Sequence, residues 1–210
     1  MNNQSTASIL RRLRALSPNR GLDEVTAMGI AERQATLLLQ LTGQKAAPVP
    51  LQTLRRIPSV VLEVVANLPA SGASYWTGTC WRLEVNAGEH PHRQRFTFCH
   101  EFKHVIDHPN RDLLYAEHRT RERVANHFAA CLLMPRRLVT QAWCSGEQDL
   151  NQLASLFSVS TEAMTTRLLV LGLLDHRPSQ RVFCTRGATK PLHWKKSFAI
   201  AGGRSIGEQP

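Results

Sequence analysis

Apolar residues recur at helical spacing early in the chain: Ile9, Leu10, Leu13 and Leu16 alternate with Arg11, Arg12 and Arg14 before Ser17-Pro18-Asn19-Arg20-Gly21 breaks the pattern. This reads as a short amphipathic arm. Residues 22–41 continue as a longer helix ending near Gly43, and 48–56 as a short helix begun at Pro50. The period then changes. Residues 59–66 are rich in β-branched side chains, as a largely buried strand would be, and Gly72 is expected to mark a turn after it. Tyr75-Trp76 and 80–86 flank Thr77-Gly78-Thr79, which predicts a hairpin. From Arg93 onward the pattern is helical again, over about 93–107 and 118–133, then in shorter pieces near 136–144, 149–157 and 161–171.

Strands confined to one stretch between helical runs predict an α+β fold, a small antiparallel sheet packed on helices. Four regions follow: a basic N-terminal arm (1–21), a main domain (22–145), a helix-turn-helix-like helical part (146–176) and a basic, loosely ordered tail (177–210). There is no internal repeat and no low-complexity run.

Composition adds little until the charge is located. The apolar fraction is 42% and the charged fraction 20%, ordinary for a globular domain. The net charge of +10 resembles a nucleic-acid footprint. Yet residues 1–20 carry four arginines and no acid, 177–210 carry seven basic residues against Glu208, and 21–176 hold 15 of each sign. The folded centre is formally neutral, so weak DNA association through the termini is at most an accessory expectation. The apolar run from Leu168 to Leu174 is far short of the roughly 20 residues needed to span a bilayer. The first residues open no signal peptide, so a cytoplasmic location is the default and no membrane partner is expected. Five widely spaced cysteines with no CxxC suggest neither a disulfide framework nor a thiolate zinc site.

The chemistry concentrates at His100-Glu101-Phe102-Lys103-His104, an HExxH pentapeptide within a helical pattern. At ~100° per residue, histidines four apart lie about 40° from each other, so both imidazoles can reach one ion. Glu101, rotated about 100° from His100, is a poor third ligand but is placed to take a proton from metal-bound water. A third protein ligand must come from elsewhere. Glu122, eighteen residues past His104, stands near the start of a helix that can return beside the first, and Asn126, four further on, can accept the free N–H of a liganding histidine. The alternative for Glu122 is an ion pair with Arg119 or Arg123 on a solvated face.

These residues resemble the ImmA/IrrE metallopeptidase family. The resemblance lies in Arg93, Arg95-Phe96-Thr97, the HExxH of His100 to His104 with His108, and the segment Glu122 to Pro135, which follows the pattern Glu-x-x-Ala-Asn-x-Phe-Ala-Ala-x-Leu-Leu-Met-Pro. It extends over roughly residues 30–174. It implies Zn2+ held by His100, His104 and Glu122, Glu101 as general base, and a helix-turn-helix repressor as substrate, cleaved to switch on mobile-element or stress-response genes. One position departs: the family usually has Gly where this chain has Lys103, whose stem is expected to point outward.

Other residues near the motif carry weaker signals. His108 lies too far along the helix to close a tetrahedral site and suits a cap or wall. Cys99 reads as a small core residue, and His90, His92, Tyr115 and His118 are candidates for stabilising an oxyanion or for ordinary loop positions. Residues 149–157, the turn at Ser158-Val159 and a helix capped by Ser160 resemble a helix-turn-helix. Its second helix, however, exposes Thr161, Glu162, Thr165, Thr166 and Arg167, too few cations for strong phosphate contact. The rival readings are a non-catalytic DNA-associated or repressor-binding regulator with a structural or relict metal site, and a hydrolase of something smaller than a protein. Two histidines and a carboxylate also suit manganese or iron.

Overall fold

The computed structural model describes residues 7–175, so the expectations for the basic tail, and for the first six residues of the arm, lie outside the described residues. The fold is α+β. Helix α1 (Ala7–Arg14) turns its apolar stripe inward, burying Ile9, Leu10 and Leu13. Arg14 donates to the carbonyls of Val105 (2.9 Å) and Ile106 (3.2 Å), while Gln34 donates to the carbonyl of Leu13 (3.0 Å). The amphipathic segment is thus pinned to the main body.

Helix α2 (Glu24–Leu41) starts where Asp23 accepts the amide of Thr26, and it buries Ala27, Ala31, Ala35 and Leu38 along one face. Small side chains on that face let it pack closely against α6 (His118–Leu133), which offers Val124, Ala125, Phe128, Ala129 and Leu132. A four-residue helix, α3 (Gln52–Arg55), leads into the sheet.

The strands are β1 (Val60–Val65), β2 (Gly72–Trp76) and β3 (Trp81–Asn86), in the order β1-β3-β2. β2 and β3 form the expected antiparallel hairpin, but β1 pairs with β3 in parallel, so the sheet is mixed rather than wholly antiparallel. The physical reason lies in burial. Trp81, Leu83 and Val85 of β3 are buried and take the centre, whereas β2 is half-exposed along its length and takes an edge. β1 is likewise less buried than its composition suggests, with Val61 and Val64 exposed. Gly72 opens β2 rather than marking the turn; after β1 it is Asn67 that takes a left-handed conformation, φ 59°.

Helix α4 (Pro91–Asp107) lies against β2 and β3. Pro91 suits its first turn, and Gln94 ties the entry down by donating to the carbonyls of Asn86, Ala87 and Glu89. A 3-10 turn, His108–Asn110, and α5 (Arg111–Leu114) carry the chain to α6. Then come α7 (Arg136–Cys144), α8 (Leu150–Phe157) and α9 (Thr161–Val170). Ser158, at φ 52° and ψ 52°, ends α8, and Ser160 caps α9 by accepting the amide of Ala163. Leu153, Phe157, Met164 and Leu168 of this pair join the same core as α4 and α6. Among the described residues no helix is long and apolar enough to cross a membrane.

Candidate metal centre

Helix α4 carries His100, Glu101 and His104, and α6 packs across it. The two imidazoles meet with Nε2 atoms 3.0 Å apart. Glu122, in the second turn of α6, brings Oε2 to 3.2 Å from His100 Nε2 and Oε1 to 3.4 Å from His104 Nε2. Three donors from two helices therefore converge on one point. Asn126, one turn along α6, sits behind them: His100 Nδ1 donates to its Oδ1 at 2.9 Å, which leaves Nε2 facing Glu122. Arg123 pairs with Glu24 at 2.8 Å rather than with Glu122, and the arginine beside Glu122 is Arg121, at 3.8 Å.

Glu101 stands beside this cluster, with a carboxylate oxygen within 4.8 Å of donor nitrogens on both histidines. Its anchor is Ser74 on the edge strand β2, whose hydroxyl donates to Oε2 at 2.7 Å. Gly72, two residues earlier, permits the close approach of β2 to α4. A Cβ there would collide with Thr97 Cγ2, and would come within 3.1 Å of the Glu84 carbonyl and 3.2 Å of Glu101 Cγ.

The electrostatics suit metal donors. Burial, reinforced by His100 and by the charges of Arg121, Lys103 and His118, pushes the His104 imidazole down to about 3, so it stays neutral and available as a donor. Burial raises the Glu101 carboxyl, with the charge of Glu122 adding to it and the Ser74 hydrogen bond and His100 opposing. The cleft in front of the histidines, about 330 Å³, is walled by Trp81, which meets His108 edge-on at 4.7 Å between ring centroids. His108 thus forms a wall, as its position beyond His104 suggests.

Several expectations are corrected. Lys103 does not send its stem outward. It is 1% exposed, and its Nζ donates to Asp107 Oδ1 at 2.5 Å, while Tyr115 donates to Asp107 Oδ2 at 2.7 Å. Asp107, one turn further along α4, draws the ammonium inward; lysine's long stem reaches it without disturbing the histidine face. Tyr115 is committed to that buried group. His90 and His92 face a different groove, bordered by α6 and α9, while exposed His118 lies 3.6 Å from Glu122 Oε1. Arg167 is 2% exposed rather than on the surface, its Nε donating to the carbonyl of Met134, which leaves α9 still poorer in surface cations. Ser74, Arg111 and Arg121, all lining the cleft, were not singled out by the sequence. Only Arg121 had a local signal, its place beside Glu122.

Two imidazoles from one helix and a carboxylate from a second are grouped as a metal ion could use them, with another carboxylate alongside. The model of the IrrE N-terminal-like domain, a peptidase family, matches residues 60–169, more than half of the chain, and the chain belongs to this family. Peptidases of this family are typically metal-dependent. No curated protein matches. A solved structure titled "Mycobacterium tuberculosis transcriptional regulator" is 21% identical, with a TM-score of 0.48, over 76% of this chain and 51% of that one. The present chain spans about half the length of that protein.

Proposed function

We propose that this chain is a zinc-dependent endopeptidase in which His100, His104 and Glu122 hold the metal, Asn126 orients His100, and Glu101 is the general base. The observation that carries the reading is the convergence of Glu122 on both histidine Nε2 atoms, within 3.4 Å, from a separate helix. The residues fit a zinc ion: one further position is left for water or substrate, and the imidazole orientation is fixed from behind. Bound there, zinc supplies Lewis acidity and brings the pKa of a bound water toward about 7. Glu101, held at Oε2 by Ser74, accepts the proton of the attacking water and returns it to the leaving amine. The substrate we assign is a helix-turn-helix transcriptional repressor, cleaved at one site so that mobile-element or stress-response genes are switched on. That assignment follows the family resemblance. DNA contact has no part in it.

The test is cleavage of a purified helix-turn-helix repressor by zinc-loaded protein. Wild-type protein should cut it at one bond and a chelator should stop the reaction. Glu101→Gln should retain zinc and lose cleavage. A repressor left intact by wild-type protein, with or without chelator, would favour a non-catalytic repressor-binding regulator.

A further inference from the structure

A second cluster of metal-ligating side chains lies where α2 meets α6, separate from the His100, Glu101 and His104 group. Glu32 of α2 and His127 and Cys131 of α6 bring a carboxylate oxygen, an imidazole nitrogen and a sulfur within 4.8 Å of one another. His127 and Cys131 are four residues apart, one helical turn, the spacing that also brings His100 and His104 together. Cys131 Sγ lies 3.4 Å from His127 Nε2. At zinc bond lengths of roughly 2.0–2.1 Å to nitrogen and 2.3 Å to sulfur, tetrahedral partners are about 3.5 Å apart, so these two atoms need little movement to share an ion. Within Glu122 to Pro135, His127 and Cys131 fill two of the positions that the family pattern leaves open, so the cluster is a feature of this chain.

We propose that Glu32, His127 and Cys131 form a second metal site, taking a thiophilic divalent ion of the zinc class and clamping α2 to α6. Cys131 is buried, whereas Glu32 and His127 are half-buried. His127 also lines a cavity of about 630 Å³ bordered by α4, α6 and α9, which supplies a path for the ion and room for a water as fourth ligand.

Two arginines shape the selectivity. Arg136 Nε and Arg167 NH2 contact the same oxygen, Glu32 Oε1, at 3.1 Å and 3.6 Å. Burial pushes the Glu32 carboxyl up, but the Arg136 hydrogen bond and the charges of Arg136 and Arg167 outweigh it, so Glu32 stays ionised. Those guanidinium charges oppose a hard cation such as magnesium or calcium, which has only oxygen affinity to set against them. A thiophilic ion has the bond to sulfur in addition. Binding is balanced by loss of the Cys131 thiol proton to solvent, leaving a metal-bound thiolate.

Titration of the metal-free full chain with Co2+ tests the site directly, since only a thiolate ligand gives a sulfur-to-cobalt charge-transfer band in the near ultraviolet and the His100 centre contains no sulfur. The band should appear in wild-type protein, disappear in Cys131→Ser and persist in Cys99→Ser and Cys80→Ser. Zinc stoichiometry should fall from two per chain to one in Cys131→Ser, with the far-ultraviolet circular dichroism unchanged. Absence of the band from wild-type protein, or its survival in Cys131→Ser, would overturn the assignment. Because the readout is spectroscopic, it is independent of whether the protein cleaves any peptide.

Discussion

Lys103 Nζ lies 2.5 Å from Asp107 Oδ1, and the two side chains are 1% and 2% exposed, so an ion pair is sealed beneath the helix that carries the histidines. Burial lowers the lysine's affinity for its proton while Asp107 opposes that effect. A pair of this kind contributes little net stability, yet removing one partner strands the other charge. Asp107→Ala should therefore destabilise the fold by about 3–5 kcal/mol. Lys103→Met/Asp107→Leu should cost less than the sum of the two single changes. Denaturant unfolding of the four proteins of this cycle checks it, and additive costs would show that the two groups do not depend on each other.

Asn126 touches no reacting atom in the proposed chemistry; it acts through His100. Asn126→Ala should weaken zinc binding roughly 10–100-fold without unfolding the chain. Asn126→Asp, which keeps an acceptor oxygen, should restore most of the loss. Competition with a chromophoric chelator measures both, and an unchanged affinity in Asn126→Ala would remove the residue from the site.

Gly72 and Ser74 position Glu101 from the edge strand. A methyl group at position 72 cannot be placed without shifting Thr97, and it also presses on the Glu84 carbonyl and on Glu101 Cγ. Gly72→Ala is expected to lower cleavage by about an order of magnitude or more, since displacements near 1 Å can cost a hundredfold. Ser74→Ala, losing one hydrogen bond, should lower it about fivefold. Zinc content should be unchanged in both. Parallel measurement of kcat and bound metal separates this outcome from simple damage to the centre.

Metal removal should also register as stability. Zinc at a hundredfold over its Kd stabilises the native state by about 2.7 kcal/mol, provided the unfolded chain binds none. Thermal unfolding should shift upward with added zinc and downward with chelator. His104→Ala should lose the part of that shift that belongs to the His100 centre.

Arg14 bridges α1 to the C-terminal end of α4 through the carbonyls of Val105 and Ile106. Cationic donors at a helix C-terminus satisfy orphaned carbonyls and oppose the dipole there. Arg14→Ala should reduce stability by about 1–2 kcal/mol, the guanidinium being only half-buried. Arg14→Lys should recover part of it. Chemical unfolding gives the answer, and equal stabilities for wild type and Arg14→Ala would show that α1 is held by its leucines alone.

What the amino-acid sequence determined by itself is whatever depends on spacing along one element. The 3.6-residue period marked the longer helices to within a residue or two, because side chains three and four apart share a face wherever the helix ends up, whereas the four-residue α5 went unmarked and α3 is shorter than the expected 48–56. For the same reason His100 with His104, and Glu122 with Asn126, were legible as pairs. Tertiary structure decided everything that needs a partner from another element. The order of the sheet followed from which strand was most deeply buried, and that depends on α4 lying against β2 and β3. Lys103 turned inward because Asp107 and Tyr115 close around it, and Arg167 because a carbonyl at the end of α6 receives it. Ser74 is 27 residues from the glutamate it holds. Glu32 is further still from His127 and Cys131, and only the close packing of α2 on α6, permitted by their alanines, brings the three donors within reach of one ion.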